Sequence, residues 1–264
     1  MKISVIIPTL NRAGTIENTL ESVVEQNWPD IQIIIQDGKS TDDTYKIVTR
    51  YPSAALGWQS EPDNGIYDAI NKGVNRATGD IIAILNSDDV WLPNTLERVA
   101  ALFSRNPDIG IVSGSIEVWE DITGGARVVL KSSLLHLHKG MTIQHPATFV
   151  RRGVYGRVGL FDERYRIGAD YDFVLRCLKA NIPWIITEDV LTRMMAGGKN
   201  LTSQFHLDDW KIRRSHRLSS IIHEVFLLTH YLLLYLGKQI LLKTLGKRAL
   251  SALRAYRWRK RIYR

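Results

Sequence analysis

The chain has 264 residues, enough for one large domain or a domain with an appendage. Hydrophobic residues make up 45% of it and charged residues 23%, which excludes a chain that is disordered throughout. A single cysteine, Cys177, excludes an internal disulfide framework and is typical of a reducing compartment. The formal net charge is +8, but ten of the 35 Lys and Arg residues follow Leu236, and no Asp or Glu lies in that segment. Residues 1–236 therefore carry 25 basic and 27 acidic groups. The excess basicity is therefore confined to the end of the chain.

Short apolar runs alternate with stretches of helical periodicity along the first part of the chain. The first run, before Pro8, is too short for a secretory signal, so we expect a strand there. Strands are predicted at 3–7, 31–35, 56–60, 81–85 and 109–114, and helices at 15–26, 42–50, 65–77 and 93–106. Apolar strands that alternate with helices predict an α/β fold, with a Rossmann-like, mostly parallel sheet and helices on both faces.

Polar clusters follow three of these strands. They lie at 8–12 after the first strand, at 36–43 after the second and at 86–89 after the fourth. Turns are polar in most proteins, so one such cluster alone indicates little. Three clusters after successive core strands predict a ligand site at the carboxyl edge of the sheet.

The cluster at 86–89 contains two adjacent carboxylates, Asp88 and Asp89. Such a pair is costly near a core unless a cation or water offsets the repulsion and the desolvation. It suits Mg²⁺ or Mn²⁺ with the remaining coordination positions left to water and phosphate oxygens. The sequence has neither a GxxxxGK[ST] loop nor a GxGxxG motif, which disfavours ATPases and dinucleotide enzymes. A diphosphate bound through the metal, with Asp37 and the first loop holding a nucleoside, fits these observations.

A further acidic stretch, Gly168-Ala169-Asp170-Tyr171-Asp172, precedes a helical pattern. Acidic residues in a first turn are explained by the positive end of the helix dipole alone. A carboxylate held at a pocket can also deprotonate a hydroxyl nucleophile. The dipole explains Asp172 more easily than Asp170.

Residues 206–264 form a predicted helical extension that is basic and amphipathic. Residues 221–236 have the sequence IIHEVFLLTHYLLLYL, which is short for a bilayer span of about 20 residues. Beyond Gly237, apolar and basic residues recur at helical spacing on different sides. Such a helix can lie in an anionic membrane surface, and packing on the first domain or on a second copy of the chain is the alternative. A nucleic-acid arm is not expected, because it would not need the apolar stretch.

Four segments carry a specific resemblance to a known family. They are PTLNRAGTIENTLESVVEQ, QDGKSTDDT, SEPDNGIYDAINKGVNRATGDIIAILNSDD and HPATFVRRGVYGRVGLFDERYRIGADYDFVLR. In order and spacing they resemble family 2 glycosyltransferases of the GT-A fold over residues 1–205. The bacterial enzymes of O-antigen, capsule and exopolysaccharide assembly, including the colanic-acid type, are the most similar. Residues 1–205 are therefore expected to form the catalytic domain and 206–264 the extension.

The resemblance implies an inverting, metal-dependent transfer of a sugar from a nucleotide diphosphate donor to a hydroxyl of a lipid-linked or oligosaccharide acceptor. The implied donor-binding residues are Pro8, Thr9, Asn11, Arg12, Asp37, Glu61, Asp63, Asp68, Lys72, Asn86, Asp88 and Arg193. The resemblance also implies that Asp88 and Asp89 bind the metal, that Asp170 is the catalytic base, and that His145 and Asp172 lie near the acceptor. UDP is the nucleotide that the resemblance favours, with dTDP and GDP as alternatives.

The sequence departs from the family pattern at three places. Asn86 replaces the first aspartate of the metal motif and Ala169 replaces the glutamate before the base. The later segment around Arg193, Gly197 and Gly198 lacks the usual histidine. The replacement at Asn86 leaves open which of the two adjacent aspartates binds the metal, and the loss of the glutamate before Asp170 predicts a weaker base.

The bacterial resemblance and the basic extension together predict a location in the bacterial cytoplasm, at the inner face of the cytoplasmic membrane, and homo-oligomers through the C-terminal helices are the alternative. A processive synthase is disfavoured, because Arg254 stands where its Gln-x-x-Arg-Trp signature needs Gln. A nucleotidyltransferase would need a glycine-rich basic loop near its start. A sugar-binding module without activity would not need Asp170 together with the acidic pair.

Overall fold

A computed structural model describes residues 1–51, 55–119, 128–195 and 203–218, together with positions 229, 233, 236 and 237. The chain divides into two compact units, Met1–Gly197 and Gly198–Arg264. The functional division at residue 205 stays a prediction.

Nine strands form the sheet of the first unit. They are β1 (Ile3–Thr9), β2 (Ile31–Asp37), β3 (Leu56–Ser60), β4 (Ile81–Ile84), β5 (Val90–Trp91), β6 (Ile111–Trp119), β7 (Val128–Leu130), β8 (Thr148–Arg151) and β9 (Trp184–Met195). Their order is β3-β2-β1-β4-β8-β6-β9-β5, with β7 paired to β6. The four strands β3, β2, β1 and β4 are mutually parallel.

Seven α-helices are described. They are α1 (Ile16–Val24), α2 (Thr44–Val48), α3 (Ile66–Arg76), α4 (Thr95–Arg105), α5 (Arg152–Val158), α6 (Ala169–Lys179) and α7 (Ser203–Ser215). Two short 3-10 helices span Leu137–Lys139 and His145–Ala147. Helices α1 to α4 alternate with the strands as predicted, so the predicted α/β fold is confirmed. Strands β1 and β4 are buried along their whole length, which explains their largely apolar sequences.

The other side of the sheet is mixed. Strand β8 is antiparallel to both β4 and β6, and β9 is parallel to β6 but antiparallel to β5. The sequence patterns did not predict β7, β8 or β9. Strands β7 and β8 have three and four residues, and β9 is fully buried only at Leu191 and Thr192, so none gives a strong apolar signal.

The register of the parallel strands places the predicted loops side by side. Thr9 at the end of β1 lies opposite Asp37 at the end of β2, and Asp37 lies opposite Ser60 at the end of β3. The loops that follow these three strands therefore leave the sheet at one edge.

The second unit is described mainly through α7, in which Arg213 forms an ion pair with Asp209 one turn away, at 2.8 Å. Among the described residues, no helix has both the length and the apolar character that a membrane span needs. Gly197, Gly198 and most of the predicted extension, including all residues after Gly237, lie outside the described residues, so the expectations about them stay predictions.

The contact between α3 and β1 yields a prediction about stability. A Cβ at Gly73 would lie 2.4 Å from Cγ2 of Ile6, whose side chain is fully buried. We expect Gly73→Ala to lower the free energy of unfolding by about 1–3 kcal/mol, because the overpacked core must shift.

Gly156 in α5 has no atom within 4 Å of the same added carbon. Gly156→Ala should instead raise the free energy of unfolding by about 0.4–1 kcal/mol. Urea denaturation of both variants checks the opposite signs, and an unchanged midpoint for Gly73→Ala would contradict this packing.

Candidate active site

The carboxylate of Asp37 is the most buried charged group at the carboxyl edge among the predicted site residues, with 1% of the residue exposed. It accepts hydrogen bonds from the backbone N–H of Ser40 at 3.0 Å and from the hydroxyl of Ser60 at 2.6 Å. The Ser40 hydroxyl also donates to it. A buried carboxylate needs such donors to offset its desolvation. Asp37 is thus held in one orientation where β2 ends.

The loop after β1 is fastened to the loop after β2. Asn11 adopts a left-handed conformation (φ 51°), donates its backbone N–H to the Ser40 hydroxyl at 2.8 Å and accepts the N–H of Thr41 at 2.8 Å. The backbone N–H of Arg12 donates to the Thr44 hydroxyl at 2.8 Å. The two loops therefore form one connected surface. Thr9 is buried beneath it, with its hydroxyl donating to the Ile7 carbonyl, and Pro8 lies within β1.

The two adjacent aspartates have different surroundings. Asp88 is partly exposed and lies 3.8 Å from the guanidinium of Arg12, which connects the acidic cluster to the first loop. Asp89 is buried and accepts a hydrogen bond from the Asn86 amide at 3.0 Å. Burial, and then repulsion by Asp88, raise the pKa of Asp89 to about 8. Asp88 is therefore the carboxylate that faces outward, and Asp89 belongs to the protein interior.

The residues fit a divalent cation that is shared with a phosphate-bearing ligand. In the described parts of the chain, no group of three or more His, Cys, Asp and Glu side chains could hold an ion by itself. Mg²⁺ and Mn²⁺ bound to nucleotides need only one or two carboxylates, because phosphate and water supply the other oxygens. Asp88, with 38% of its side chain exposed, can provide one carboxylate.

The segment before α3 is fixed by its own charged side chains. Lys72 donates to the carbonyl of Pro62 at 2.8 Å and to the carboxylate of Asp68 at 3.1 Å. Asp68 in turn accepts the backbone N–H of Asn64 at 2.8 Å. Both side chains therefore hold the shape of this loop, and the contact of Lys72 with phosphate stays a prediction.

Asp63 and Glu61 lie on the same segment but differ in their contacts. Asp63 accepts the N–H of Gly65 at 2.9 Å and packs against Gly38, where an added Cβ would come within 2.1 Å of its Oδ2. Asp63 thus lies beside the loop that follows Asp37. Glu61 forms an ion pair with Arg76 at 2.6 Å, and this hydrogen bond lowers the pKa of the Glu61 carboxyl.

Arg193 on β9 lies beside the acidic cluster, since it pairs with Val90 of β5. Its Nε donates to Glu117 at 2.6 Å, and its guanidinium lies 4.1 Å from the ring centroid of Trp119. Those contacts hold the side chain on β6. Its predicted reach to a diphosphate stays a prediction.

Asp170 is the second residue of α6, where the helix dipole favours a negative charge. Its Oδ1 accepts the backbone N–H of Tyr171 at 2.9 Å and lies 3.1 Å from the hydroxyl of Tyr67. Its Oδ2 has no hydrogen-bond partner among the described residues. The sequence patterns did not identify Tyr67, because a tyrosine in an apolar helix face is usually core packing.

A cavity of about 20 Å³ brings the predicted base and the predicted acceptor histidine together. Asp170 and His145 both line it, as does Ile84, the last residue of β4. Asn86 and Asp88 come two and four residues after Ile84, so Asp170 lies near the end of β4 that leads to the acidic cluster. His145 packs edge-on against Phe161 with ring centroids 5.9 Å apart, and burial lowers the pKa of its imidazole.

Asp172 has different surroundings. It is 5% exposed and forms an ion pair with Arg176 at 2.7 Å, one helical turn away. The guanidinium of Arg176 also donates to the carbonyls of Val158 and Leu160, at the end of α5. These are the contacts of a structural ion pair, and contact of Asp172 with an acceptor stays a prediction.

Comparison with known proteins identifies the family. The family model described as "Glycosyl transferase family 2" matches residues 4–152. The chain belongs to glycosyl transferase family 2. A relative from Mycobacterium bovis (strain BCG / Pasteur 1173P2), a PGL/p-HBAD biosynthesis glycosyltransferase, is 34% identical over 184 residues, which cover 66% of this chain and 68% of the relative. The chain is therefore a glycosyltransferase.

Two solved structures share the fold. Staphylococcus aureus TarS 1-349, in complex with UDP-GlcNAc, gives a TM-score of 0.67 at 19% identity over 88% of this chain and 72% of that one. The mannosyltransferase PcManGT from Pyrobaculum calidifontis, in complex with GDP-Man and Mn²⁺, gives 0.62 at 20% identity over 97% of this chain and 84% of that one. The expected GT-A glycosyltransferase fold is thereby confirmed.

Proposed function

We propose that this family 2 glycosyltransferase transfers a sugar by a single inverting displacement, with Asp170 as the base. The position of Asp170 carries the proposal. One of its carboxylate oxygens is fixed by the protein, the other is free of described partners, and the residue shares a cavity with the end of β4. A carboxylate placed in this way can accept a proton from a bound hydroxyl.

In the proposed step, each bond that forms is matched by a bond that breaks. Oδ2 of Asp170 accepts the proton of an acceptor hydroxyl while the hydroxyl oxygen forms a bond to the anomeric carbon of the donor sugar. The bond from that carbon to the diphosphate oxygen breaks, and the nucleoside diphosphate leaves with the electron pair. A positioned base contributes about 10²- to 10⁴-fold to such a rate.

The donor site is formed by the loops after β1, β2, β3 and β4. In this proposal Asn11, Arg12, Asp37 and Asp63 surround the nucleoside, and Asp88 would hold a divalent cation. A bound Mg²⁺ or Mn²⁺ would neutralise charge on the departing diphosphate. UDP is the proposed nucleotide, supported by the complex of TarS with UDP-GlcNAc, whereas the complex of PcManGT with GDP-Man makes GDP the second candidate.

The proposed acceptor is a lipid-linked saccharide at the inner face of the bacterial cytoplasmic membrane, in the synthesis of a surface polysaccharide. The support is the basic and apolar pattern of residues 206–264, which favours an anionic membrane surface. Self-association through this extension is the second candidate for its role.

The role of the base is tested by Asp170→Asn, which preserves shape but cannot accept the proton. We expect transfer to fall by at least about 10²-fold, as for loss of a general base. The Kd of the donor, measured by titration calorimetry with UDP-GlcNAc and other UDP-sugars, should stay within about twofold, because the substitution leaves the nucleotide loops intact. Asp108→Asn, at an exposed aspartate before β6, is the matched control and should transfer normally. Full transfer by Asp170→Asn would rule out this base.

The role of the acidic cluster is tested by Asp88→Asn. We expect the variant to lose the increase in donor affinity that Mn²⁺ gives to the wild-type protein, because the outward-facing carboxylate is removed. Titrations with UDP-sugars in Mn²⁺ and in EDTA measure that increase. The idea fails if Mn²⁺ strengthens donor binding equally in the variant and in the wild type.

Membrane association is tested by sedimentation with vesicles. The full chain should pellet with phosphatidylglycerol vesicles and less with phosphatidylcholine vesicles, since each basic residue contributes about 1 kcal/mol at an anionic surface. A chain that ends at Ser219 should stay in the supernatant. Equal soluble fractions for the two chains would exclude a membrane role for the extension, and a change of oligomeric state on truncation would favour self-association.

A further inference from the structure

One oxygen of the proposed base is held by two donors from different parts of the chain. The backbone N–H of Tyr171 reaches Oδ1 of Asp170 at 2.9 Å from the same helix. The hydroxyl of Tyr67 lies 3.1 Å from the same oxygen and comes from α3, 103 positions earlier. With both donors on Oδ1, only Oδ2 is left for a substrate.

Tyr67 has little freedom to move. The residue is 8% exposed, and its ring stacks on Phe161 with centroids 5.7 Å apart. Its hydroxyl is also 2.7 Å from the carbonyl of Ile167, so the single hydroxyl proton is shared between that carbonyl and Asp170. Burial, and then the negative charge of Asp170, raise the pKa of Tyr67 well above its ordinary value, so the hydroxyl remains a donor.

The same face of α3 holds the segment that precedes the base. Asn71, one turn after Tyr67, donates to the carbonyl of Phe161 at 2.9 Å and accepts its N–H at 3.0 Å. The Asn71 amide also donates to Glu163 at 3.0 Å. Residues 161–170 are therefore attached to α3 at both ends.

Helix α3 also fixes the loop that precedes it, through the contacts of Asp68 and Lys72 described above. One rigid element thus joins a loop of the donor site to the base. Groups that must meet within a fraction of an ångström benefit from such a rigid connection.

We propose that Tyr67 is a positioning residue, whose hydroxyl holds Oδ1 of Asp170 so that Oδ2 faces the acceptor hydroxyl. The inference rests on the proposed function. When the proton arrives on Oδ2, Oδ1 remains an acceptor and keeps both of its donors. No hydrogen bond at Oδ1 has to be rearranged during the transfer, which is the condition for a preorganised site.

The test is Tyr67→Phe, which removes the hydroxyl and keeps the ring stacked on Phe161. The donor is the UDP-sugar that the wild type turns over, found by screening a panel that begins with UDP-GlcNAc, and the acceptor is a bacterial total lipid extract. With these substrates we expect kcat of the variant to fall about 10- to 100-fold. The KM of the donor should stay within about twofold, because the loops of the donor site are unchanged.

Tyr155→Phe is the matched control. Tyr155 is buried in the same aromatic cluster, 6.2 Å from Phe161 and 5.0 Å from Phe173 between ring centroids, and it has no hydrogen bond to Asp170 in the described structure. This variant should retain kcat within about twofold. A merely structural role of Tyr67 would instead give similar losses of kcat and of thermal stability in both variants, and that result would overturn the assignment.

A second variant separates this assignment from the proposed function. In the Asp170→Asn background, Tyr67→Phe should cause no further loss of the residual rate, since Tyr67 acts through that carboxylate. An additional loss equal to that in the wild-type background would overturn the positioning role. An inactive Asp170→Asn together with a fully active Tyr67→Phe would overturn the positioning role alone. Full transfer by Asp170→Asn would overturn the proposed function and the positioning role with it.

Discussion

The buried carboxylate of Asp37 is the constraint on which the donor side of the site depends. A charge with 1% exposure must be compensated by donors, and here Ser40 and Ser60 supply them from the ends of two different strands. Ser40 also accepts the backbone N–H of Asn11. A continuous hydrogen-bond network therefore joins the ends of β1, β2 and β3, and the loops between them have one favoured arrangement.

The adjacent aspartates show how a protein accommodates two like charges beside its core. The sequence alone suggests that a bound metal neutralises both. The structure separates them, because Asp88 faces outward near Arg12 while Asp89 is buried, with a pKa raised to about 8. A proton on Asp89 lowers the repulsion even without a cation, so the pair combines one outward-facing carboxylate, the proposed metal ligand, with one interior group.

The sequence predicted the parts of the fold whose signals are local. Strands such as β1 and β4, which are buried throughout, and the helices between them follow from apolar periodicity. The short strands β7 and β8 and the half-exposed β9 have no such signal. Their existence depends on pairing with β4, β5 and β6, which only the folded chain reveals.

The residues of the candidate site also differ in how far the sequence predicts their contacts. Asp37 and Asp88 were predicted from residue type and position and the base role of Asp170 from the family resemblance, and the roles of all three stay proposals. Lys72 and Asp172 have ion-pair partners one turn away, which a motif match does not show. The sequence did not predict a role for Tyr67, because its proposed role depends on Asp170, a partner 103 positions away.

The attachment of residues 161–170 to α3 has a consequence for how this enzyme can diverge. In the proposed donor site, the 61–65 loop is anchored on the same helix that holds the proposed base. An exchange of this loop that tilts α3 would therefore also displace Asp170 and slow transfer. We expect chimaeras with another donor loop to keep more of their turnover when they carry α3 together with that loop.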